Sequence, residues 1–96
     1  MMSIEKVFDI IKSERAYQDQ KWGGCGHDYL HTFDDWLSYM SQYLSLADKL
    51  HKEGNTVIAR NQIRKLAALA VACMQHKCPT YRTKYHRALG DVPFHT

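Results

Sequence analysis

Acidic side chains are missing from two long stretches of this 96-residue chain: none occurs from Trp36 to Ala47, and none from Thr56 to His76. From Thr56 onward Asp91 is the only one. Hydrolysis assisted by a hard cation needs carboxylate oxygens gathered around the ion, and these stretches offer none. Cysteine is sparse and irregular, with only Cys25, Cys73 and Cys78, which argues against a secreted disulfide framework. No apolar run is long enough to span a bilayer. A signal-peptide layout is also lacking, because Glu5, Lys6 and Asp9 interrupt the first residues. A cytoplasmic location is the default expectation.

What is present points to one domain over residues 1–96. So short a chain buries a modest core, and that makes an oligomer a reasonable expectation. The net charge of +3, from 13 basic and 10 acidic residues, permits an anionic ligand. It does not suggest a protein that coats long nucleic acid, where one face would be dominated by cations. The distribution says more than the total. The second half is basic, with Arg60, Arg64, Lys65, Lys77, Arg82, Lys84 and Arg87.

Periodicity predicts an all-α fold, a small bundle of three main helices with a short C-terminal segment, assembled as an oligomer. The first helix is expected from about Ser3 to about Gln20, capped by Ser3, with Ile4, Val7, Phe8, Ile11 and Ile10 as its apolar stripe. Gly23, Gly24 and Gly26 end it, and an aromatic loop runs from Trp22 to His31. The second helix begins near Thr32, where Thr32-Phe33-Asp34-Asp35 resembles a capping box with Asp in the usual place of Glu. Trp36, Met40, Tyr43, Ala47 and Leu50 form its inward seam, and Gly54-Asn55 stops it. The third helix runs from about Thr56 to about His76. Its segment from Leu66 to Met74 is apolar almost all round, as a central buried helix requires. Cys78-Pro79 ends it, and a short turn of helix is expected around Arg82 to Leu89.

The segment Glu14-Arg15-Ala16-Tyr17-Gln18-Asp19-Gln20-Lys21-Trp22-Gly23, followed by His31 and Trp36-Leu37, is distinctive. It resembles the opening of small phage and bacterial members of the MazG-like, all-α nucleoside-triphosphate pyrophosphohydrolase group. The alanine-rich stretch from Leu66 to Cys73 is similar to the central helix of that group, so the resemblance covers roughly Glu14 to His76. It implies helical subunits that pair into dimers or tetramers, with a nucleotide pocket between helices. In active members, Glu and Asp residues on two facing helices hold Mg²⁺, which activates water to split the triphosphate. Here Ser41-Gln42-Tyr43-Leu44-Ser45-Leu46 stands where the first acidic cluster belongs, and Asn61-Gln62-Ile63-Arg64-Lys65 where the second belongs. Arg60 and Arg64, one turn apart on one face, would repel a metal and attract a phosphate.

Each candidate has a plainer alternative. Arg60, Arg64 and Lys65 form either a phosphate clamp or a solvated helix face. Tyr17, Lys21 and Trp22 either stack on a base and contact a phosphate, or anchor the loop to the core. Cys25, His27, His31 and Asp28 match no standard zinc spacing, and ordinary loop hydrogen bonding is the simpler reading. Cys73 reads as a small buried apolar residue rather than a nucleophile beside His76. Tyr39 and Tyr43 read as core or interface. Tyr81-Arg82 either closes over a pocket or packs on the surface.

Three functions follow as expectations. The first is a non-catalytic nucleotide-binding protein, phage-encoded and acting in the host cytoplasm. It would sequester a nucleotide immune signal, cyclic ones included, and so block defence. Its ligand-binding residues are expected to be Tyr17, Lys21, Trp22, His31, Arg60, Arg64 and Arg82, with no catalytic residue, no metal ligand and no cofactor. The partners are a small nucleotide and further copies of the chain in a dimer or tetramer, and neither membrane nor long nucleic acid. The second is a Mg²⁺-dependent pyrophosphohydrolase with displaced ligands among Glu14, Asp19, Asp34, Asp35 and Asp48. The third is a helical protein-interaction module.

Overall fold

A computed structural model of the chain describes residues 1–23 and 30–81. Among them are three helices and no strand: α1 (Ile4–Trp22), α2 (Phe33–Lys52) and α3 (Thr56–Lys77). The turn of helix expected between Arg82 and Leu89 lies outside the described residues.

Local chemistry sets the ends of the helices. The Ser3 side chain accepts a hydrogen bond from the Lys6 backbone N–H at 3.2 Å, using one of the orphan donors of the first turn. Helix α1 runs two residues past its expected end and stops at Gly23, whose φ of 90° is left-handed and open to glycine without strain. At the start of α2 the capping box is complete. The Asp35 backbone N–H donates to Thr32 Oγ1 at 3.1 Å, and the Thr32 N–H donates to Asp35 Oδ2 at 2.9 Å. Asp therefore substitutes for the longer Glu. That backbone hydrogen bond from Thr32 holds the Asp35 carboxyl below the ordinary aspartate range.

The core sits between α2 and α3. Trp36, Leu69, Ala72 and Cys73 are buried, with Tyr39, Met40 and Tyr43 packed around them. Trp36 is only 1% exposed. The expected seam of α2 is thus the observed one. Helix α3 is central, because it packs against both α1 and α2. It is not buried all round, however. Ala68, Leu69, Ala72 and Cys73 face inward, while Met74 and Ile63 are exposed. The two other helices cover only part of its circumference.

Helix α1 corrects the expected stripe. Ile4, Val7 and Phe8 are exposed, and Ile10 and Ile11 are half-buried. The residues that α1 buries are Glu14 and Gln18. At 100° per residue, all of these positions except Ile10 lie on one continuous face. Its apolar N-terminal half is left uncovered by the described residues, and its polar C-terminal half packs on α3.

Candidate functional site

The polar half of the α1 face meets α3 through side-chain hydrogen bonds. Arg64 Nε donates to Glu14 Oε1 at 2.7 Å, Gln18 Nε2 donates to the Lys65 carbonyl at 3.2 Å, and Arg15 Nε donates to Gln75 Oε1 at 3.3 Å. Arg64 also donates through Nη1 to Asn61 Oδ1 at 3.1 Å. The absence of acids on α3 therefore does not leave Arg64 alone, because α1 supplies one across the helix–helix contact. Buried to 9% exposure, Glu14 neutralises part of the expected clamp.

Beside this ion pair lies a cavity of about 370 Å³ lined by Glu14, Tyr17, Gln18, Lys21, Arg64 and Lys65. Trp22 and Tyr43 complete its wall. The Lys21 ammonium rests 5.8 Å from the Trp22 ring centre and 5.9 Å from that of Tyr17. Lys65 rests 5.9 Å from the Tyr43 ring centre. At such distances a cation is attracted by the ring face. Among the described residues neither lysine pairs with a carboxylate. Three cations thus stand against one carboxylate, leaving the cavity positive.

Trp22 and Tyr43 also bound a second cavity, of about 450 Å³, whose remaining lining is His31, Trp36, Tyr39, Gln42, Leu46 and Leu69. Its rings are held edge to face. His31 lies 5.1 Å from Trp36 and 5.2 Å from Tyr39, both at 78°. Trp36 also stacks on His76, with ring centres 6.2 Å apart. Gln42 donates a long hydrogen bond to Ser38 Oγ at 3.4 Å. This cavity suits a planar apolar ring, and the first suits an anion.

Of the residues expected at the site, Tyr17, Lys21, Trp22, His31 and Arg64 line these two adjoining cavities. Arg60 stands apart, exposed and lining neither cavity, one turn nearer the start of α3. Arg82 lies outside the described residues, as do Cys25, His27 and Asp28 of the zinc candidate. Tyr81 is fully exposed and closes over nothing described. Burial pushes the Cys73 thiol above its ordinary value, which suits a packing residue and not a thiolate nucleophile.

Sequence reasoning did not place Gln18, Gln42 or the α2 aromatic seam at a site. A signal for Gln18 was there. Positions 14, 17, 18, 21 and 22 repeat at spacings of three and one, the same helical stripe as a core face but written in polar and aromatic residues.

Four of the five acids named as displaced Mg²⁺ ligands already have partners in the fold. Glu14 pairs with Arg64, Asp19 with Arg15 at 2.8 Å, and Asp48 with Lys52 at 2.8 Å, while Asp35 caps α2. Asp35 and Asp48 are separated by roughly 20 Å along α2, far beyond the span of one coordination sphere.

No family model, no curated protein and no solved structure matches the chain.

Proposed function

We propose that this chain holds a small nucleotide without cutting it, as a relative of the MazG-like group that kept the pocket and lost the acids. One observation carries the reading: a cationic cavity and an aromatic cavity share a wall made by Trp22 and Tyr43. A nucleotide has the matching two-part chemistry, a flat base and an anionic phosphate. Lys21, Lys65 and the unspent donors of Arg64 would take the phosphate by charge-assisted bonds. The aromatic cavity would take the base between ring faces and edges. Four of the five acids that a hydrolase would recruit are already engaged elsewhere, which favours holding over cutting.

Sequestration of a nucleotide immune signal by a phage, in the cytoplasm of its host, is the use we assign to such binding. Its support is the phage-like Glu14–Gly23 motif and the engagement of Glu14, Asp19, Asp35 and Asp48 with other residues. A homo-oligomer, dimer or tetramer, belongs to the same proposal. The uncovered Ile4, Val7 and Phe8 face is the surface a second copy would cover.

Native mass spectrometry after incubation with mixed linear and cyclic nucleotides tests the binding. Added mass of one or more nucleotides is expected for the wild type, reduced at least tenfold in occupancy-based affinity in the Lys21→Met/Lys65→Met variant. No nucleotide adduct of any kind would favour a protein-interaction module instead.

A further inference from the structure

A cavity that received only phosphate would need only hydrogen-bond donors. This one also contains acceptors. The Glu14 carboxylate has about four lone-pair sites, and among the described residues Arg64 Nε is its one hydrogen-bond donor. Gln18 is more pointed. Its Nε2 donates to the Lys65 carbonyl at 3.2 Å, and this fixes the amide, since the flipped form would set oxygen against oxygen. Among the described residues the Oε1 is left buried with no hydrogen-bond partner, on a residue only 3% exposed. Buried carbonyl groups are nearly always paired, so an orphan at a cavity wall asks for a donor. Glu14 and Gln18 lie one turn apart on the same face of α1 and line the same cavity.

The matching ligand therefore brings hydrogen-bond donors close to its anionic group. In a nucleotide, the ribose hydroxyls sit between phosphate and base and are such donors. We infer that Glu14 and Gln18 read the ribose hydroxyl groups, so that the site prefers a ribonucleotide to its 2′-deoxy counterpart. The inference rests on the nucleotide-binding reading and adds the sugar to it. In the proposed complex the Gln18 side chain turns so that its oxygen, buried in the free chain, meets the ligand. A carboxylate and an amide oxygen built to receive a hydroxyl are left unpaired by a ligand that lacks it, and this is a strong basis for discrimination.

Equilibrium dialysis with the four ribonucleoside 5′-monophosphates and their 2′-deoxy counterparts provides the test. The wild type is expected to bind at least one ribonucleotide about tenfold or more tightly than its deoxy partner. Gln18→Met, which keeps the volume and removes the acceptor, and Glu14→Gln, which is isosteric, are each expected to narrow that ratio. The ratio matters, because a purely structural defect would weaken both ligands alike. Equal binding of ribo and deoxy forms by the wild type would overturn the inference and leave nucleotide binding standing. So would a ratio unchanged in both variants. Failure of every nucleotide to bind would remove the underlying reading, and the inference with it.

Discussion

Trp22 does three jobs in this chain: it is the last residue of α1, part of the wall of both cavities, and one of the rings beneath the Lys21 ammonium. It is also 36% exposed, so it contributes less to the core than its size suggests. Trp22→Ala is therefore expected to separate binding from folding. Base stacking on an aromatic ring is worth on the order of 1–3 kcal/mol, so nucleotide affinity should fall about tenfold or more. The urea midpoint should scarcely change. A large loss of stability would place Trp22 in the core and out of the site. Tyr17, Lys21 and Trp22 were grouped in the sequence as a stacking and phosphate-binding set, but with Trp22 in a loop, whereas the structure makes it the last residue of α1. The pairing of Arg64 with Glu14 was not legible, since it joins residues fifty positions apart and no local pattern reports it.

At the scale of elements, the ends of the helices were the most legible features and the buried faces the least. Thr32-Phe33-Asp34-Asp35 foretold the start of α2 because a capping box is local chemistry. Thr32→Ala is expected to cost about 1 kcal/mol in urea unfolding. The same cap makes a pH prediction. The Asp35 carboxyl is held below its ordinary value in the folded chain, chiefly by the Thr32 backbone N–H. Its stabilising effect is therefore complete above the unfolded value of about 4 and fades as pH falls through the lower folded value. Asp35→Asn should melt below the wild type at neutral pH, and the gap should close in acid. A gap independent of pH would dissociate the charge from the cap. Helix α1 illustrates the opposite case. Hydrophobicity picked out Ile4, Val7 and Phe8, yet the half that this chain covers carries Glu14 and Gln18. Periodicity found the right face and could not say which half a neighbour would cover, because that depends on where α3 crosses it.

For the whole molecule, the all-helical fold followed from helical spacing, and among the described residues no helix is long and apolar enough to cross a membrane. The assembly is a different matter. A row of exposed apolar side chains along the start of α1 is the surface on which the proposed oligomer depends. Phe8→Asp is expected to convert the assembly to monomer in sedimentation velocity while the helix content by circular dichroism stays the same. A wild-type chain that sediments as a monomer at the same concentration would contradict it. Two cavities with a common aromatic wall then give the molecule its proposed task, to retain a nucleotide intact. The most direct measurement is to incubate the purified protein with Mg²⁺ and a panel of linear and cyclic nucleotides, remove the unbound fraction, denature the protein and identify what it releases. Recovery of an unaltered nucleotide is the predicted result; recovery of nucleoside monophosphate and pyrophosphate in its place would contradict it.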